Sequence, residues 1–253
     1  MSDLPVMTGL PGGSRGRNGA LLVTPVTMSP TPPDATVRPR RRAVITVRRV
    51  ILVALAFFLL PNLAVIAAHL LAQRSAPASA YDLPVRNFAE VDDRLWRGAA
   101  PDAEGYRALA AAGVQTVIDL RAENDLHIDD PLLRTLGITR VSLPMRDGQA
   151  PTRQQVERFL NEVQGSPGRV FVHCGAGVGR TGTMAAAYLV KSGQASPVDA
   201  LKRNLSVGPP SLEQLAFSAE LDDGAVQRPT QMLVALSRTL DAPRRIWTVL
   251  RAG

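Results

Sequence analysis

The residues best equipped to do chemistry stand together in Val172-His173-Cys174-Gly175-Ala176-Gly177-Val178-Gly179-Arg180-Thr181-Gly182. Cys174, the single cysteine of the chain, leaves a strand-forming run and enters a loop made of Gly175, Ala176, Gly177, Val178 and Gly179. Glycines let successive backbone N–H groups turn inward without Cβ clashes. Inward N–H groups that lead into a helix N-terminus form a cradle for an anion. The same field favours the thiolate form of Cys174. Arg180 can grip two oxygens of a phosphate group with its planar fork. A thiolate lying beneath a bound phosphate is an in-line nucleophile.

Such a loop needs a strand before it and a helix after it. Val170–His173 has the apolar, β-branched character of a buried strand, and residues 181–192 have helical character. Further strands are expected at 95–97, 114–120 and 138–143, and further helices at 101–112, 131–136, 152–163, 197–204 and 211–221. Strands that alternate with helices imply an α/β fold with a central, mostly parallel sheet flanked by helices.

The run HCGAGVGRTG resembles the signature loop of the Cys-based protein tyrosine and dual-specificity phosphatases: His-Cys, five residues, Arg, then Ser or Thr. The resemblance covers about residues 88–220. It implies that Cys174 is the nucleophile, that Arg180 and residues 175–179 bind the substrate phosphate, and that His173 hydrogen-bonds around the loop and helps hold the thiolate. It implies that the Thr181 hydroxyl assists breakdown of a phosphocysteine, a role compatible with capping the helix. The family also places a general-acid Asp on a mobile loop after an earlier strand, where it protonates the leaving oxygen and later activates water. Asp147 fits that place, 27 residues before Cys174. As an Asp before Gly148 it also suits an Asx turn. Asp129 and Asp130 are its rivals, although they precede the strand. Asp119 and Arg121 end a strand on the side of the site, either backing it or forming surface pairs. The Asn of the family's Gly-Pro-Asn…Gln-Leu region is absent from Gly208-Pro209-Pro210-Ser211, so Gln214 reads as packing rather than catalytic.

Family members that cleave inositol phosphates often carry a basic residue within this loop; none stands between Cys174 and Arg180, so the resemblance implies a monophosphate ester such as phosphotyrosine, phosphoserine or phosphothreonine. No upstream aromatic recognition loop is found. The expected branch is therefore the atypical, dual-specificity-like one, in a membrane-anchored member of bacterial type. A membrane phospholipid head-group phosphatase is the competing enzyme reading. A phosphate-binding pseudophosphatase is the non-enzyme reading, against which the intact Cys174, Arg180, Thr181 and Asp147 weigh.

Composition restricts the setting. The basic excess of the 253-residue chain lies wholly in residues 1–80, which hold 9 Arg against 2 acids; residues 81–253 balance 18 Arg and 2 Lys against 20 acids. A main domain without a basic excess argues against nucleic-acid binding. One cysteine excludes an internal disulfide and a Cys-based zinc finger. Three scattered histidines suggest no metal site, and the chemistry read above asks for no cofactor.

From Val50 to Gln73, 24 residues carry no charge. At about 1.5 Å per residue a helix of that length crosses the roughly 30 Å hydrocarbon core of a bilayer. Six arginines (Arg38, Arg40, Arg41, Arg42, Arg48, Arg49) precede the run and only Arg74 and Arg86 follow closely. The positive-inside rule then puts the N-terminus in the cytoplasm and the remainder outside, on a single-pass anchor in the cell membrane. A cleaved signal ending at Ala78-Ser79-Ala80 competes, although the apolar run is long for one. The expected organisation is a disordered basic tail over 1–42, a transmembrane helix over 43–73, a linker over 74–85, a phosphatase-like domain over 86–225 and a helical extension over 226–253. The partners implied are a phosphorylated protein or phospholipid and the membrane, with no nucleic acid.

Overall fold

The computed structural model describes residues 40–75, 79–123, 131–222 and 228–252. The chain divides into two compact units, Met1–Arg49 and Val50–Gly253. Helix α1 (Arg40–Gln73) begins within the arginine run and continues through Pro61. Its segment Thr46–Gln73 is long and apolar enough to cross a membrane, and its large side chains, Val50, Ile51, Leu52, Phe57 and Leu60 among them, are exposed. Asn62, in mid-helix, returns its amide to Phe58 O at 2.7 Å and so satisfies itself locally.

The second unit runs β1 (Ala89–Glu90), β2 (Leu95–Ala99), α2 (Ala103–Ala111), β3 (Val114–Arg121), α3 (Pro131–Thr135), β4 (Thr139–Met145), α4 (Arg153–Gly165), β5 (Arg169–Cys174), α5 (Gly179–Lys191), α6 (Pro197–Val207), α7 (Leu212–Ala219) and α8 (Gln231–Ala252). The five strands form one sheet in the order β1-β2-β5-β3-β4. Only the short β1 runs antiparallel, to β2; the other pairings are parallel. The α/β fold with a mostly parallel central sheet, expected from the alternating pattern, is the one observed.

Strand β5 lies between two parallel neighbours, and a strand covered on both faces must be apolar throughout. Val170, Phe171 and Val172 are accordingly buried. Their side chains alternate between two cores, as the period of two requires. Val170, Val172 and Cys174 pack with α4, α5 and α7 through Phe159, Met184, Leu189 and Phe217. Phe171 faces the other way, against Trp96, Leu109, Val117 and Leu133. The strand therefore delivers Cys174 on the α5 side and His173 on the α2–α3 side.

Helix boundaries follow local chemistry. Asp102, Thr152, Ser196 and Ser211 each accept a backbone N–H in the first turn of α2, α4, α6 and α7, and Thr152 and Ser211 complete reciprocal capping boxes with Gln155 and Gln214. Each such cap is worth about 1 kcal/mol. Helix α5 differs: its N-cap, Val178, offers no side-chain acceptor. The N-terminus of α5 is thus left without the side-chain cap found at these other helices, at the end of the glycine loop.

Candidate active site

Cys174 ends β5 at the carboxyl edge of the sheet, where ligands of parallel α/β folds bind. It is buried, and Gly177 N–H points at its Sγ from 3.3 Å. That contact shows the loop curling back over the sulfur with a backbone donor turned inward. The three loop glycines do different work. Gly177 adopts φ +74°, and a Cβ there would strike the Gly98–Ala99 backbone of β2. A Cβ on Gly179 would meet the Gln214 amide, while at Gly175 there is open space. The sequence suggests one reason for all three, but the close approach is required at 177.

Arg180, in the first turn of α5, is only 3% exposed. Both terminal nitrogens engage the Glu123 carboxylate at 2.7 Å, Nη1 also donates to Met145 O at 3.1 Å, and Nε lies 3.3 Å from Asp147 Oδ1. The last is an ion pair without hydrogen-bond alignment, since Nε has no hydrogen-bond partner. Burial alone would lower the pKa of Arg180. The Glu123 hydrogen bonds and the negative charge of Cys174, Asp147 and Glu123 outweigh it, and the pKa is raised.

Asp147 comes from the loop after β4 and meets Arg180 across the fold, with its side chain 74% exposed. The expected mobile loop is tied down immediately after this residue by the N-terminus of α7. Ser211 Oγ donates to Gly148 O at 2.8 Å, Gln214 Nε2 donates to Gln149 O at 3.2 Å, and Ala150 N–H donates to Glu213 at 3.0 Å. Gln214 therefore serves as a cap and a brace, in line with the packing reading. The rival carboxylates Asp129 and Asp130 lie outside the described residues.

His173 is fully buried, stacked on Phe171 at 6.0 Å between ring centres, with Nδ1 3.3 Å from Cys174 O and 3.8 Å from Asp119 Oδ1. Burial lowers its pKa to about 4, against the pull of Asp119, so the ring is neutral at physiological pH. It faces away from the α5 side and contacts the end of β5 from behind, at the carbonyl of Cys174. Asp119 is buried as well and accepts from Arg121 (Nε 2.9 Å, Nη2 2.8 Å) and from Arg140 Nη2 (2.5 Å). Burial would raise its pKa, but the Arg121 hydrogen bonds and the positive surroundings hold it at about 2. Asp119 and Arg121 thus back the site. Thr181 is completely buried, and its Oγ1 has no hydrogen-bond partner. The capping role does not hold, because Val178 occupies the N-cap and Thr181 lies inside the first turn.

The structure brings Cys174, Arg180, Thr181, Asp147 and the 175–179 loop to one edge of the sheet. Residues that sequence reasoning missed complete the surroundings. Glu123 pairs with Arg180 from two residues beyond β3, and Arg97 of β2 donates to the loop carbonyls of Gly177 (2.9 Å) and Val178 (3.3 Å) from behind. An arginine within the apolar run Leu95-Trp96-Arg97-Gly98-Ala99 was the available signal for the second. Among the described residues no group of three or more His, Cys, Asp or Glu is placed to hold a metal ion.

The chain is 33% identical over 101 residues to the probable chloroplastic NAD kinase 2 of Oryza sativa subsp. japonica, covering 38% of this chain and 10% of that one. It is 38% identical over 78 residues to the human dual specificity protein phosphatase CDC14C, covering 31% and 17%. The chain thus spans about a tenth of the NAD kinase relatives. Among solved structures, a cysteine-to-serine form of P. aeruginosa TpbA in complex with pTyr superposes with a TM-score of 0.48 at 22% identity, over 65% of this chain and 96% of that one. The model of the DSP-PTPase phosphatase fused to NAD+ kinase matches residues 60–220, and the chain belongs to that phosphatase family.

Proposed function

We propose that the protein hydrolyses phosphate monoesters on phosphorylated proteins through a phosphocysteine intermediate. The observation that carries the reading is the meeting of Asp147 and Arg180 at 3.3 Å, beside a loop that already turns a backbone N–H onto Cys174 Sγ. In the first step the Cys174 thiolate attacks phosphorus, an S–P bond forms and the ester P–O bond breaks. Asp147, protonated, gives its proton to the departing oxygen. In the second step water attacks phosphorus, Asp147 takes up its proton, the S–P bond breaks, and thiolate and inorganic phosphate are released. Arg180 and the loop amides hold the equatorial oxygens, where charge stabilisation is most effective. The unpartnered Thr181 hydroxyl supports the collapse of the intermediate, and His173 fixes the strand end that presents the sulfur.

The dual-specificity relatives and the loop without Lys or Arg before Arg180 support a protein monophosphate substrate. The exposed apolar segment Thr46–Gln73 supports a single-pass anchor in the cell membrane, and the arginines before it support a cytoplasmic N-terminus with the catalytic domain on the far side. The test uses the full chain in detergent with an aryl phosphate, phosphotyrosyl and phosphoseryl peptides, and phospholipid vesicles. Turnover of aryl phosphate and peptides, with a phosphocysteine trapped by acid quench, is expected. Preferred turnover of the vesicles overturns the protein-substrate reading, and absence of all turnover overturns the hydrolytic one.

A further inference from the structure

An oxyanion cradle works only if its amides are held inward. In a trans peptide the C=O and the following N–H point in opposite directions. Whatever holds the loop carbonyls outward therefore aims the amides. Here four consecutive carbonyls are held from behind. Ala100 N–H donates to Gly175 O at 3.3 Å, and Asn87 Nδ2 donates to Ala176 O at 2.9 Å. Arg97 Nη2 reaches Gly177 O at 2.9 Å and Val178 O at 3.3 Å. The result is visible in one peptide: its carbonyl, from Ala176, goes to Asn87, while its N–H, from Gly177, goes to Cys174 Sγ. Gly177, whose Cβ would collide with β2, lets the loop lie directly on this support.

Arg97 is also an unusual charge. It is 3% exposed, and its hydrogen-bond partners are all neutral: the two loop carbonyls and Asn204 Oδ1 at 3.3 Å. Removing a guanidinium from water without a carboxylate partner is costly, as it is for any buried ion. Burial lowers its pKa to about 10, against the opposing field of Cys174, so it remains charged at neutral pH. The negative charges that can compensate it are those on the other side of the loop, the sulfur and a bound oxyanion. Asn87 shows a cost of another kind, as the only non-glycine residue at positive φ (53°) among the described residues.

We propose that Arg97 is a positioning residue of the phosphate site, which, together with Asn87, fixes the loop carbonyls outward so that the amides and a buried positive charge converge on the bound oxyanion. It rests on the phosphatase reading for its effect on turnover, but its effect on anion binding can be read separately. Cys174 is the only cysteine, so alkylation of the full chain by iodoacetamide reports this site alone. Inorganic phosphate occupying the cradle protects it. The half-protecting phosphate concentration, kcat and KM for an aryl phosphate and the Tm are measured for the wild type, Arg97→Gln, Arg97→Lys and Asn87→Gly.

A buried hydrogen bond from a charged group is worth about 10- to 100-fold in an equilibrium constant, so Arg97→Gln raises the half-protecting concentration by that factor. Arg97→Lys, which keeps the charge but lacks the fork, falls between it and the wild type. Asn87→Gly, which removes a neutral donor and relieves the backbone, raises it about two- to fivefold. A residue that only filled the core would lower Tm and leave protection unchanged, and that result overturns the assignment. Should Arg97→Gln fail to fold, Arg97→Lys decides: wild-type protection refutes the role, and weakened protection at wild-type Tm supports it. If phosphate protects the wild type but nothing is hydrolysed, the hydrolytic reading fails while the Arg97 assignment is still judged by protection.

Discussion

Two arginines flank the loop from Gly175 to Gly179, each 3% exposed, and they are held in opposite ways. Arg180, in front, is clasped by the carboxylate of Glu123 and faced by that of Asp147, both on exposed side chains at 52% and 74%. Arg97, behind, is held by backbone carbonyls and one amide. The pKa of the first is raised and that of the second lowered, because only the first has carboxylate hydrogen bonds to offset burial. On the proposed function, the difference separates a charge that exchanges its partners for a phosphate from one that keeps them. The carboxylates in front can yield their place to a phosphate, whereas the carbonyls behind belong to the loop itself.

The largest effect expected removes what lies between the two arginines. Cys174→Ser lowers turnover by about 10⁴-fold or more while inorganic phosphate still binds, because the nucleophile is lost and the cradle stays. Equilibrium dialysis with labelled phosphate checks the binding, and substantial residual turnover would defeat the covalent mechanism. Next, Arg180→Lys costs about 10²- to 10³-fold in kcat/KM, since an ammonium cannot reproduce a fork that spans two oxygens. Near-normal kcat/KM in this variant would mean that the front arginine does not grip the phosphate.

Asp147→Asn is expected to cost about 10²-fold on alkyl phosphates, at the lower end for a positioned general acid because the carboxyl is largely solvated. Aryl esters with acidic phenols lose less, and the basic limb of the kcat/KM–pH profile flattens. Equal losses on both substrates with the basic limb retained would make Asp147 structural and turn attention to Asp129 and Asp130. Glu123→Gln tests the exchange directly. With the competing charge removed, inorganic phosphate inhibits about two- to fivefold more tightly, within the worth of a partly exposed ion pair. Weaker inhibition would show that Glu123 props Arg180 rather than competing for it.

The last prediction concerns stability rather than turnover. The folded pKa of His173 is about 4 against 6.5 for the free side chain. Between those values the unfolded chain binds a proton that the folded one refuses, so stability falls as pH drops from about 6.5 to 4, by up to about 3 kcal/mol. Asp119, depressed from 3.8 to about 2, adds a loss of the same sign below pH 4. Urea unfolding at stepped pH should show the upper loss in the wild type and not in His173→Asn.

How far the molecule could be read from its sequence depended on the distance between partners. The loop from Cys174 to Arg180 is contiguous, so nucleophile, cradle and fork were legible together. Strands β3 and β5 and the helices announced themselves by local pattern. Strand β4 was expected to stop at Leu143 and runs to Met145. As the edge strand it tolerates Pro144, whose missing N–H costs no ladder bond there. Strand β1 has two residues and exists only by pairing with β2. Arg97, Glu123 and Asn87 were missed for a related reason, since they meet their partners across 80, 57 and 89 residues. Asp147 became legible only through the family resemblance, because a lone Asp-Gly reads equally well as a turn.

The order of the sheet has a kinetic consequence. The β2–β5 pairing and the bonds of Arg97 close a span of about 80 residues, which contains β3 and β4. Closing long spans costs chain entropy that later contacts must repay, and folding slows accordingly. During synthesis β2 emerges early and waits for β5 to arrive. A nascent chain that has made the glycine loop but not yet docked it on β2 holds Cys174 without an aimed cradle. On the proposed function, an aimed cradle over this thiol is thus a property of the assembled sheet rather than of the motif alone.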